Sequence, residues 1–103
     1  MTTKLEEILV RYEKLNTLVA DPEVIKNIEE WRGYTKELSA MEEIVEKFKE
    51  YKKAEQEKRD AEESLLTETD PEMKEFLQDE VQSLKEQLAE ITVELKTMLI
   101  PKD

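Results

Sequence analysis

A chain of 103 residues with 42% charged residues, one glycine, three prolines and neither cysteine nor histidine has room for one domain and almost no turn residues from which to build sheets. Sixteen Lys and Arg against 27 Asp and Glu leave a formal net charge of −11, which repels phosphate backbones and turns the search for partners toward proteins. The missing cysteines and histidines exclude disulfides, thiolate catalysis, thiolate metal sites and imidazole chemistry.

The first helix is expected over residues 4–19. Thr3 and Glu6 have the spacing of a capping box, and behind them Leu5, Ile8, Tyr12, Leu15 and Val19 step by three and four, with Leu9 and Leu18 widening the apolar face. Asp21-Pro22-Glu23 ends this helix and starts the next. Proline suits the first position of a helix and bars its predecessor from helical geometry, which makes Asp21 the cap.

The second helix is expected over 22–67. Val24, Ile28, Trp31, Thr35, Leu38, Met41, Val45, Phe48, Tyr51, Ala54, Ala61 and Leu65 recur at an average spacing near that of a left-handed supercoil, with Lys58 as the polar interruption. Gly33 and the pair Ser39-Ala40 are the weak points at which this helix could divide, and the pattern favours continuity. Residues 52–64 are nearly all polar, yet Ala54 and Ala61 keep the seam and leave space for another helix to approach.

Asp70-Pro71-Glu72 repeats the earlier punctuation and opens a third helix over 71–99, which Pro101 ends. Leu77, Val81, Leu84, Leu88, Ile91, Leu95 and Met98 alternate spacings of four and three without a miss. Such a seam must be covered, and the second helix is long enough to take the first and third helices along it. The expected fold is all-α: a single domain over 1–103, built as an elongated antiparallel three-helix bundle whose long central helix pairs as a coiled-coil-like hairpin. Its three-helix core is expected near Tyr12, Trp31, Leu38, Leu95 and Met98.

Little chemistry is available to such a surface. Carboxylates, lysines and hydroxyls remain as possible catalysts, and bundle surfaces rarely supply the pocket that would shift a carboxylate pKa. No enzymatic activity, catalytic residue, cofactor or metal site is therefore expected. Glu86, Glu90 and Glu94 stand four apart, either as a docking ridge for a basic protein or as ordinary solvation. Trp31, Arg32 and Tyr34 form the one compact aromatic and basic group. Trp31 is in phase with the core, whereas Tyr34 lies beside it. The candidate partner contacts are thus Tyr34, Glu86, Glu90 and Glu94. Glu43 with Lys47 and Glu55 with Arg59 have the spacing of supporting ion pairs. The acidic N-terminus does not read as a signal peptide and no stretch is apolar enough to span a membrane, so a cytoplasmic chain is expected.

Asp70-Pro71-Glu72-Met73, Asp79-Glu80-Val81, Leu84-Lys85-Glu86 and the ending Leu99-Ile100-Pro101-Lys102-Asp103 resemble the N-terminal domain of the bacterial peptide chain release factor 1 family. Arg11-Tyr12-Glu13, Asp21-Pro22, Trp31-Arg32 and Lys36-Glu37 extend the resemblance over essentially the whole chain. The Pro-Lys-Asp ending favours this family over its sister, which reads a different pair of stop codons. The resemblance implies a translation termination factor whose full-length form recognises UAA and UAG on the ribosome and triggers peptidyl-tRNA hydrolysis. The family's Gly-Gly-Gln tip and codon-reading tripeptide have no counterpart here, since Gly33 is the one glycine. For this domain the resemblance implies protein contacts with the ribosomal stalk base and with the GTPase that recycles the factor, made as a monomer. The competing expectation from the seam alone is a self-associating coiled-coil module.

Overall fold

The computed structural model describes residues 1–101, and every regular element among them is a helix. Four follow in order: α1 (Thr2–Val19), α2 (Pro22–Lys26), α3 (Ile28–Thr67) and α4 (Pro71–Met98). The chain divides into two compact units, Met1–Glu46 and the part from Lys47 onward, and α3 contributes to both. The all-α expectation and the long central helix hold. The expected three helices become four, and Lys102 and Asp103 of the Pro-Lys-Asp ending lie outside the described residues.

The extra break falls at Asn27, ahead of both anticipated weak points. Asn27 is extended, with φ −94° and ψ 90°, and its side chain replaces the helical bonds that this conformation forfeits. Its Oδ1 accepts from the Glu30 N–H at 3.3 Å, and its Nδ2 donates to Glu30 Oε2 at 3.2 Å. Asparagine competes with helix through such local bonds, and the reciprocal Asn27/Glu30 pairing has the logic of a capping box. The Asn27 carbonyl then accepts from the Trp31 N–H at 2.9 Å, starting α3. The break also moves Ile28 off the core face: expected inward, it is 50% exposed.

Gly33 does not interrupt α3. Its φ is not positive, and a Cβ built there meets nothing within 4 Å. Glycine at this position therefore only costs backbone entropy.

Both Asp-Pro turns form as expected. Asp21 Oδ1 accepts from the Glu23 N–H at 2.9 Å, Asp70 Oδ1 accepts from the Glu72 N–H at 3.1 Å, and each aspartate is extended while its proline opens the helix. Glu68 Oε1 accepts from the N–H groups of Thr69 and Asp70 at 3.1 and 3.0 Å, supplying partners for the connection between α3 and α4. The capping box read at Thr3 and Glu6 is not used. Helix α1 begins a residue earlier than Thr3, with Met1 as its cap and without a side-chain cap bond, and the Leu5 N–H reaches the Met1 carbonyl at 3.2 Å. Thr3 is thus already helical and cannot adopt the extended cap conformation.

In the first unit Leu5, Leu15, Val24 and Val45 are buried. In the second, α3 and α4 form an antiparallel hairpin: advancing from Lys47 to Ala61 along α3 moves the partner back from Glu94 to Val81 and Leu77 along α4. Leu77, Val81, Leu84, Ile91 and Leu95 of the expected seam are buried, while Leu88 and Met98 are half-buried. Phe48, Ala54 and Ala61 are buried on the α3 side. The Phe48 ring stacks on Tyr51 with centroids 6.3 Å apart, and Lys52 Nζ lies 5.0 Å from its centroid.

Two substitutions test these local assignments. Gly33→Ala is expected to stabilise the chain by about 0.5–1 kcal/mol, since the new methyl meets no neighbour and the unfolded chain loses freedom. Asn27→Ala is expected to cost about 1 kcal/mol by removing the Glu30 cap. Urea denaturation followed by circular dichroism measures both.

Candidate protein interaction surface

The residues singled out in the sequence separate into those that brace the fold and those left on its surface. Trp31 braces. Its Nε1–H donates to the Val19 carbonyl at 3.1 Å, giving a partner to one of the acceptors that the end of α1 leaves open. Thr35 Oγ1 donates in turn to the Trp31 carbonyl at 2.9 Å.

Tyr34 lies half-buried in a polar cluster between α1 and α3. Its hydroxyl donates to Glu30 Oε1 at 3.0 Å, and this bond, with the Glu30 charge behind it, raises its pKa above the ordinary phenol value. Nearby, Arg11 grips Glu37 with two parallel bonds, Nε to Oε1 and Nη2 to Oε2, both 2.8 Å. The bidentate bond holds the Glu37 carboxyl below its usual range and raises the Arg11 pKa. Arg11 and Glu37 are 26 positions apart in sequence, so no periodicity within one helix could have revealed the pair.

The glutamate ladder on α4 is not uniform. Glu86 and Glu90 are exposed, and Glu86 accepts from Gln82 Nε2 at 3.3 Å. Glu94 is half-buried and crosses to α3, where its Oε2 meets Lys47 Nζ at 2.6 Å. Lys47 also meets Glu50 at 3.2 Å, and these two bonds raise its pKa. The cross-helix pairing displaces the expected Glu43–Lys47 pair, whereas Glu55–Arg59 forms at 2.9 Å. The upper end of the ladder is thus part of the hairpin's own bracing, leaving Glu86 and Glu90 facing solvent.

A surface that the sequence did not reveal lies farther along the same hairpin. An open groove of about 250 Å³ runs between α3 and α4, lined by Glu57, Asp60, Ala61, Ser64, Leu77 and Glu80. Ala61 packs with Leu77 and Val81, and Leu65 lies against them. Its single methyl leaves a recess between the two helices where a larger side chain would have filled the seam. The available signal was the small residue at a core position, read in the sequence only as room for close helix approach. Among the described residues no group of three or more carboxylates is arranged to hold a metal ion, and no helix is long and apolar enough to cross a membrane.

A family model described as the PCRF domain matches residues 8–103. The chain belongs to the PCRF domain family. The match takes in Arg11, Tyr34, Glu37, the glutamate ladder and the whole groove, so each of these features is part of the PCRF domain. Across all 103 residues this PCRF chain is 43% identical to a protein named peptide chain release factor 1 from Carboxydothermus hydrogenoformans, and 40% identical to those from Desulforudis audaxviator and Bacillus licheniformis. It spans about 29% of the length of each of these relatives. No solved structure matches the chain.

The Arg11–Glu37 grip makes stability pH-dependent with a definite sign. Because the folded Glu37 carboxyl ionises below its ordinary value of 4.5, its contribution is present above that range and is lost as pH falls through the lowered folded value. The urea midpoint is expected to fall on acidification below 4.5, and Glu37→Gln is expected to remove part of this slope. Denaturation curves of both proteins across pH 3 to 7 measure the difference.

Proposed function

We propose that this chain is the N-terminal protein-interaction domain of a translation termination factor of the release factor 1 type. In this reading the full-length factor recognises UAA and UAG on the ribosome and triggers peptidyl-tRNA hydrolysis in the cytoplasm, and the PCRF domain supplies contacts with the stalk base and with the recycling GTPase. The observation that carries it is identity of 43% over the entire chain to a protein named peptide chain release factor 1. The net charge of −11 suits protein contacts better than direct binding to RNA. Burial of Leu77, Val81, Leu84, Ile91 and Leu95 of the α4 seam supports this reading over the alternative of a self-associating coiled coil.

None of these 103 residues is assigned a part in the hydrolytic step, and the domain acts by engagement. The test uses the Carboxydothermus hydrogenoformans factor in three forms: intact, with the matching stretch deleted, and with this chain in its place. Deletion is expected to spare single-turnover peptide release while slowing ribosome association or factor recycling by about tenfold, the scale of one lost protein contact region. This chain is expected to restore the rate. If the deleted and replaced forms behave alike in association and recycling, the reading fails.

A further inference from the structure

The groove over Ala61 combines features that helix solvation does not require. Carboxylates stand on both of its rims, Glu57 and Asp60 on α3 and Glu80 on α4, above a floor that includes Ala61 and Leu77. One turn before Glu80 on α4 comes Phe76, and three residues before that Met73, which places the three on one ridge. Phe76 is 60% exposed and Met73 is 44% exposed. A phenylalanine and a methionine held in water beside an open recess form an apolar anchor without an occupant.

The charge around this anchor identifies what would fit. From Asp60 to Glu80 nine carboxylates stand against one cation, Lys74. Of the two cations just before this stretch, Lys58 pairs with Glu62 at 3.7 Å and Arg59 with Glu55 at 2.9 Å, away from Glu57, Asp60 and Glu80. Asp60 Oδ1 accepts from Gln56 Nε2 at 2.9 Å, a neutral donor that leaves its charge in place. A nucleic acid would be repelled by this field. A lysine or arginine from a protein would relieve the repulsion across the groove, and electrostatic attraction would speed its arrival.

We propose that the α3–α4 groove around Ala61 docks a basic segment of a protein partner, with Glu57, Asp60 and Glu80 holding its Lys or Arg side chains and Phe76 with Met73 receiving its apolar residue. The proposal rests on the ribosome-directed reading above and names the surface through which the domain engages. The partner surface is defined by chemistry: one large apolar side chain flanked by cations.

The test places p-benzoylphenylalanine at position 76 of the full chain, and in a second preparation at position 86, and irradiates each with purified bacterial ribosomes. Position 76 is expected to cross-link to a ribosomal protein at an apolar residue with Lys or Arg on either side. Yield should fall about tenfold in the Asp60→Lys, Glu80→Lys double variant and again at high salt, as expected for a contact dominated by charge pairs. Circular dichroism checks that the variant remains helical, and Met73→Ser, which alters an exposed position of the same ridge, is a second variant in which the yield from position 76 should also fall. Cross-linking to ribosomal RNA, equal yields from positions 76 and 86, absence of a cross-link, or a salt-independent yield each overturns the proposal. Failure of the broader reading is distinguishable. If the replaced factor still restores association when it carries the double variant, the groove falls and the reading stands; if the unmodified chain restores nothing, the reading itself has failed.

Discussion

The hairpin depends on closing the α4 seam against α3. Leu77, Val81, Leu84, Ile91 and Leu95 are buried there, and burying such a side chain stabilises by about 1.5–3 kcal/mol, more than the roughly 0–1 kcal/mol of an exposed ion pair. What α3 offers in return changes along its length. Near Lys47 it presents Phe48, whose ring fills space and carries Tyr51 and Lys52 with it. Farther along it presents Ala54 and Ala61, which bring the backbones together but bury little of their own. The same economy that thins the packing at Ala61 leaves the groove, so the docking surface and the weaker core share one cause.

The repeating parts of this fold were legible because they are local. A seam with spacings of three and four can be satisfied only by a helix with one covered face, and the two Asp-Pro pairs fix where helices begin through proline's geometry. Asn27 escaped because Val24 and Ile28 keep a spacing of four across it, which a continuous helix and a broken one satisfy equally. The sign was the Asn27 to Glu30 spacing, a capping pair hidden inside an apolar pattern. Glu94 was misplaced on a solvent ridge for a related reason. Spacing within α4 groups it with Glu86 and Glu90, but its partner Lys47 is on another helix, and the pairing depends on hairpin register. Arg11 with Glu37 and the groove over Ala61 are likewise products of register between helices.

Charge is distributed with a division of labour. In the first unit Arg11 is committed to Glu37, and at the start of the second Lys47 is committed to Glu94 and Glu50. These cations brace helices. From Asp60 to Glu80 one lysine stands among nine acids, and although Lys58 meets Glu62 at 3.7 Å an acidic excess is left. A surface optimised for stability alone would intersperse the signs. Repulsion there is tolerated because the acids lie around a short connection and an open groove, where water screens them.

The Trp31 bond to the Val19 carbonyl also gives the chain an internal gauge. Trp31 is the sole tryptophan, and its indole N–H is tied to the end of α1 within the first unit. Indole emission therefore follows the closure of α1 on α3 and is blind to the α3–α4 hairpin, whose melting appears in the helical ellipticity. Coincidence of the two signals during denaturation would mean that both units unfold as one cooperative body; separation would resolve them as two.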